Sequence, residues 1–145
     1  MDKPKIAIGN DHAGTQLKDF LKDHFDSMCT FQDFGTNTED SVDYPDFAHQ
    51  VAESVEQEQN KLGILICGSG NGVNMTANKY PNIRAGLAWN KEISTLIRAH
   101  NNANILCIPA RFVSKEEAVE ILNAFVNTAF EGGRHERRIQ KISTR

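Results

Sequence analysis

The six residues Cys67-Gly68-Ser69-Gly70-Asn71-Gly72 place a thiol and a hydroxyl among glycines at every second position. Closely spaced glycines let backbone N–H groups converge on an anion. Backbone donors and a following helix N-terminus also favour a cysteine thiolate, which serves as nucleophile or general base. Counting excludes the familiar versions of such a loop. A dinucleotide turn starting at Gly68 needs glycine at 73, where Val73 stands. A P-loop needs a Gly-Lys pair, which is absent, and a Cys-x5-Arg phosphatase loop needs arginine at 73. Elsewhere, His12 adjoins Asp11, and His100 closes a helical stretch in a run of asparagines, where a helix C-terminus favours an imidazolium. Arg134 and Arg138 are four apart, so a helix puts both guanidinium groups on one face, suited to clamp a phosphate. Base, acid, anion hole and phosphate grip are then all present. His24 and His49 lie on helical stretches and read as structural or surface residues. No HxxxH, HExxH or CxxC spacing occurs, so no metal site is expected.

These residues need a scaffold, and the apolar pattern supplies one. Short apolar runs at 6–9, 31–34, 63–67, 84–89 and 105–109 read as strands. Between them, stripes of helical period run through Leu17, Phe20, Leu21 and Phe25, then Phe47, Ala48, Val51, Ala52 and Val55, then Ile93, Leu96 and Ile97. The longest joins Ala118, Ile121, Leu122, Phe125, Val126 and Ala129 behind a Ser114–Glu117 capping box. Gly132-Gly133 is expected to break this last helix and free a basic tail with a short helix of its own. Alternating strands and helices predict an α/β fold, a three-layer α/β/α sandwich around a mostly parallel sheet of about five strands. Ligands of such sheets lie beyond the strand carboxyl ends. Asp11-His12, Cys67–Gly72 and Ala110-Arg111 each follow a predicted strand. The polar stretch 35–44 is the one long irregular loop, of a length often tied to function.

At 145 residues the chain is one domain, 1–145, with 131–145 as a basic terminal segment. Residues 1–60 hold 4 basic and 13 acidic groups, whereas 61–145 hold 12 and 6. A net charge of −3 argues against nucleic acid, while the local basic cluster fits a small anion. No apolar run is long enough to span a membrane and no signal-like segment opens the chain, so a cytoplasmic protein is expected. Its three cysteines should then be reduced, with Cys29 and Cys107 filling the core.

Seven motifs occur in a recognisable order: Gly9-Asn10-Asp11-His12-Ala13-Gly14, Asp43-Tyr44-Pro45, Cys67-Gly68-Ser69-Gly70, Ala77-Asn78-Lys79, Ile83-Arg84-Ala85, His100-Asn101-Asn102-Ala103-Asn104 and Glu131-Gly132-Gly133-Arg134-His135. With them the chain closely resembles, over nearly its whole length, the type B ribose-5-phosphate isomerase family, which includes allose- and galactose-phosphate isomerases. The resemblance implies a Rossmann-like sandwich without nucleotide or other cofactor, and a homodimer or dimer of dimers with sites at the subunit interface. It implies a metal-free aldose–ketose isomerisation through an enediolate. Carried onto this sequence, Cys67 is the proton-moving base, Ser69 assists at the sugar oxygens, and the N–H groups of Gly68, Ser69, Gly70, Asn71 and Gly72 stabilise the enediolate. His100, from the neighbouring subunit, opens the sugar ring with Asp11 as partner. His12, Arg111, Arg134 and Arg138 hold phosphate, and Tyr44 and Asn101 line the sugar. Some members carry glycine at the Cys67 position and glutamate where Val73 stands. This chain resembles the cysteine subgroup, although Asn71 is similar to the glutamate one.

Two readings of other classes compete. A non-catalytic receiver-like module needs a phosphorylatable aspartate after the third strand and a lysine after the fifth, where Cys67 and Ala110-Arg111 stand. A cysteine-nucleophile hydrolase would show burst kinetics and a trapped intermediate. Within the isomerase reading, a six-carbon sugar phosphate is the alternative substrate.

Overall fold

A parallel sheet is covered on both faces, so its strands are apolar on both sides. The computed structural model, which describes residues 2–143, has five strands. They are β1 (Lys5–Asn10), β2 (Thr30–Asp33), β3 (Leu62–Cys67), β4 (Ala85–Leu87) and β5 (Ile105–Pro109). Of these, β1, β3 and β5 are buried almost throughout and the edge strand β2 is partly exposed. Every pairing among them is parallel, in the order β2-β1-β3-β5-β4. The expected mostly parallel sheet is thus entirely parallel among the described residues.

Successive side chains point to opposite faces. Ile6, Ile8, Ile64, Ile66, Leu106 and Ile108 pack under α1 (Thr15–His24) and α5 (Lys115–Asn127) through Leu17, Leu21, Ile121, Leu122 and Phe125. Ile93 and Ile97 of α4 (Lys91–Ala99) join that layer. On the other face Ala7, Leu65, Cys67, Ile105 and Cys107 meet α2 (Tyr44–Glu56) and α3 (Asn71–Ala77) through Ala48, Val51, Val55, Val73 and Ala77. The strand order reverses between β1 and β3, where such sheets bind ligands. Cys67 ends β3 on the α2/α3 face.

Three boundaries differ from the sequence reading. The last long helix ends at Asn127, two residues before the expected Ala129 and well before the glycines. Thr128 is extended (φ −103°, ψ 126°) and its hydroxyl donates to the Ala124 carbonyl at 2.6 Å, closing the helix. Gly132 and Gly133, both at positive φ, instead turn the chain into α6 (Arg134–Gln140). β4 is three residues long, because the Arg84 N–H is taken by the Asn104 side chain at 2.8 Å. Tyr44 belongs to the first turn of α2, with Pro45 beside it. No helix among the described residues is long and apolar enough to cross a membrane.

The loop 34–43 lacks regular structure yet is firmly tied. Lys18 is fully buried and donates to Asp33 (3.3 Å), the Thr36 carbonyl (2.6 Å) and Asn37 Oδ1 (2.9 Å). Asn10 Nδ2 reaches the Thr36 carbonyl at 3.2 Å, and Thr15 donates to the Thr38 carbonyl at 2.7 Å.

Candidate active site

At the β1 carboxyl end, Asp11 is buried and accepts the Ala13 N–H at 3.0 Å, starting a single 3-10 turn. The Asp11 N–H donates to the Ile66 carbonyl at 3.2 Å, tying this turn to the end of β3. His12 Nδ1 accepts the Val42 N–H at 3.1 Å. An acceptor Nδ1 carries no proton, which leaves the ring's proton on Nε2 as a donor for an anion.

Cys67 is 5% exposed. Its carbonyl accepts the Ala110 N–H at 2.9 Å, and the Gly68 carbonyl accepts the Arg111 N–H at 3.0 Å. The end of β5 is thereby fastened to the glycine loop, with the Arg111 guanidinium against Gly68: a Cβ there would lie 3.1 Å from Nη1. Ser69 Oγ accepts the Asn71 N–H at 3.3 Å. Gly70 is left-handed (φ 75°), and a Cβ on it would lie 2.5 Å from Leu87 Cδ1 and 3.2 Å from the Pro109 nitrogen. Gly70→Ala should therefore destabilise the protein by about 1–3 kcal/mol. Urea unfolding would measure this, and an unchanged midpoint would mean the turn relaxes freely. Gly72 packs on the Tyr44 ring, 2.5 Å from where its Cβ would be.

Asp11, Tyr44, Cys67, Gly68, Ser69, Gly72 and Arg111 together line a cleft of about 570 Å³, with Met75 and Phe112 beside them. Arg111 also lines the adjoining cleft that holds His12. Seven predicted residues thus share one cleft and an eighth stands next to it. Gly70 and Asn71 shape the turn and are not among the cleft's lining. Sequence spacing did not mark Met75 or Phe112, which are 66% and 73% exposed. Met75 offered a signal, an apolar side chain between Asn74 and Thr76, whereas Phe112 beside Val113 offered none. Lys18 was also missed, although it sits at helical spacing with Leu21 and Phe25.

The remaining cysteines do not reach the cleft. Cys29 is buried and its thiol is pushed up by desolvation. Cys107 is fully buried and pushed up to about 12, again chiefly by desolvation. Both fill the core as expected.

His100, Asn101, Arg134 and Arg138 do not line the Cys67 cleft of the same chain. Asn101 borders a separate cleft at the β4 edge. His100 caps the end of α4 and stacks on His135, with ring centroids 4.2 Å apart and planes at 12°. Glu131 Oε1 lies 3.5 Å from His135 Nε2 and 3.9 Å from His100 Nε2. His135 is held below the usual histidine range, first by desolvation and then by His100, Arg134 and Arg138, against the attraction of Glu131. Arg134 and Arg138 are exposed on α6 and make no ion pair among the described residues. Arg145 lies outside the described residues.

No ligand spacing in the sequence marked a metal site, yet the fold gathers donor atoms of His100, Glu131 and His135 within 4.8 Å of one another. The two imidazole planes are nearly parallel, so their in-plane lone pairs do not converge on one ion. The two arginines beside them also repel a cation.

A family model described as Ribose/Galactose Isomerase matches residues 6–142. The probable ribose-5-phosphate isomerase B of Mycoplasma genitalium is 45% identical over 140 residues, covering 94% of this chain and 92% of that protein. Ribose-5-phosphate isomerase B of Escherichia coli is 39% identical, covering 96% and 94%. Among solved structures, a ribose 5-phosphate isomerase from Thermotoga maritima superposes with a TM-score of 0.95 at 45% identity, covering 98% of this chain and 99% of that one. The Mycoplasma genitalium enzyme, solved with bound ribulose-5-phosphate, gives 0.91 at 44% identity, covering 96% and 93%.

Proposed function

The chain belongs to the ribose/galactose isomerase family, and from that premise we propose that it interconverts ribose 5-phosphate and ribulose 5-phosphate with Cys67 as the base. The observation that carries this reading is the cleft at the β1/β3 switch point, whose lining brings Cys67 together with Asp11, Ser69 and Arg111. In the ring-opened aldose, the Cys67 thiolate takes the proton from C2. The C–H electrons form the C1–C2 double bond and the charge moves onto the C1 oxygen. The N–H groups of Gly68 to Gly72 stabilise that enediolate. The proton of the C2 hydroxyl passes to the C1 oxygen, the thiol returns its proton to C1, and the thiolate is restored as the C2 carbonyl forms. Ser69, Tyr44 and Asn101 meet the sugar hydroxyls. His12 Nε2–H, Arg111, Arg134 and Arg138 hold the phosphate.

The acid that opens the ring is His100, assisted by Asp11. His100 and the α6 arginines lie away from the Cys67 cleft of their own chain, so each complete site combines one protomer's Cys67 cleft with the other's His100, Asn101, Arg134 and Arg138. Tyr44, Met75 and Phe112, between 40% and 73% exposed around the cleft, form an apolar rim of the kind a second subunit covers.

A coupled assay of ribulose 5-phosphate formation in EDTA, with allose and galactose 6-phosphates alongside, tests the activity. Turnover of ribose 5-phosphate supports the reading. Turnover of the six-carbon substrates alone moves the function to those, and no turnover of any refutes it. Shared sites make a second prediction. Cys67→Ala and His100→Ala proteins, each inactive alone, should recover about a quarter of wild-type activity after mixing and subunit exchange, since half the dimers are mixed and each holds one intact site. If every site is built within one chain, mixing restores nothing.

A further inference from the structure

The loop joining α5 to α6 is clamped onto the end of α4 by its backbone. The Glu131 N–H donates to the Ala99 carbonyl at 3.0 Å, and Arg98 Nε donates to the Thr128 carbonyl at 3.4 Å. Gly132 (φ 73°) and Gly133 (φ 61°) then reverse the chain; a Cβ on either would meet nothing within 4 Å, so it is the backbone angle that calls for glycine. The result lays the His135 ring flat on the ring of His100 and sets the Glu131 carboxylate at the edge of both.

The two rings differ in a telling way. The His135 side chain is 8% exposed, that of His100 39%. His135 Nε2 is buried without a hydrogen-bond partner. A buried imidazole with no hydrogen bond at Nε2 is contributing its flat face and its neutrality, since burial, His100, Arg134 and Arg138 together outweigh the Glu131 carboxylate in disfavouring its charged form. Two stacked imidazolium rings would repel; a neutral ring under His100 does not.

We infer that His135 and Glu131 are positioning residues for the sugar ring-opening step: His135 is the neutral platform that fixes the plane of His100, and Glu131 is the carboxylate that orients its Nε2. This deepens the isomerase reading and rests on it. Neither residue is asked to touch substrate or to take part in the proton transfer between C1 and C2.

The test separates those two stages. Ribulose 5-phosphate has no free hydroxyl at C5 and cannot close a furanose ring, so exchange of its C1 hydrogen with deuterium oxide reports Cys67 chemistry without ring opening. His135→Ala and Glu131→Gln should lower kcat for ribose 5-phosphate about 10–100-fold, the scale of a misplaced catalytic group, while C1 exchange stays within about twofold of wild type. His135→Phe keeps a flat ring, loses no bond at Nε2, and should restore most of the forward rate. A variant set that loses both reactions in step, or loses neither, overturns the proposal, as does an inactive His135→Phe that folds normally. Wild type that neither turns over ribose 5-phosphate nor exchanges the C1 hydrogen refutes the isomerase reading itself, and the positioning role falls with it.

Discussion

Cys67→Ala should leave a folded protein whose turnover of ribose 5-phosphate is lower by about 10²–10⁴-fold, the range set by loss of a general base. Proton transfer between C1 and C2 needs one group that takes and returns the proton within the cleft, and in the proposed mechanism that group is Cys67, at the end of β3. Cys107 cannot take over: it is fully buried and pushed up to about 12, so it stays a thiol at neutral pH. Val73, on the helix that follows the glycine loop, has no titratable group. The fold should tolerate the change, because the sulfur is a small part of an apolar layer that includes Leu65, Val73 and Ile105. Steady-state kinetics and C1 hydrogen exchange should fall together, with thermal unfolding little changed. Full activity in the variant would show that another group is the base.

Lys18→Met, outside the cleft, should lower stability by about 3 kcal/mol, the lower end for breaking a buried ion pair. Asp33 keeps Lys22 at 3.0 Å, which is why the lower end applies. In a domain of this size that is roughly 6–12 °C in Tm. The loop 34–43 would lose the Lys18 bonds to Thr36 and Asn37 and keep those from Asn10 and Thr15, which loosens the segment whose Val42 N–H holds the His12 ring. KM for the sugar phosphate should rise as a consequence. Acid stability carries a second signature. Burial alone would raise the Asp33 carboxyl, but the Gly35 N–H, Lys22 and Lys18 outweigh it and hold it below the usual range. A depressed carboxyl contributes stability above its unfolded value near 3.9 and loses it as pH falls through the lower folded value. Wild type should lose this increment below about pH 4, and Lys18→Met should lose less of it. Denaturation midpoints between neutral pH and pH 3 would decide; parallel pH curves for the two proteins would mean Lys18 does not act on Asp33.

Much of this architecture is written locally. β1, β3 and β5 are legible because strands covered on both faces are apolar at consecutive positions, and their carboxyl ends mark where Asp11, Cys67 and Arg111 must emerge. The capping box at Ser114 and Glu117 forms as its spacing predicts, since both partners lie within one turn. α3 left no stripe, because so short a helix buries only Val73 and Ala77. β4 is shorter than its apolar run because the start of an edge strand depends on which side chains compete for its N–H groups.

What the sequence determined by itself, then, is the α/β scaffold, the family and the chemical types available to the site: hydrophobic period and turn residues act over a few positions and leave their record there. Tertiary structure decided which of those residues meet. It buried Lys18 under an irregular loop, stacked His135 on His100 across more than thirty residues, and kept His100 and the α6 arginines out of the Cys67 cleft of their own chain. Such meetings depend on where whole elements pack, and no spacing along the chain encodes the distance between two faces of a folded sheet.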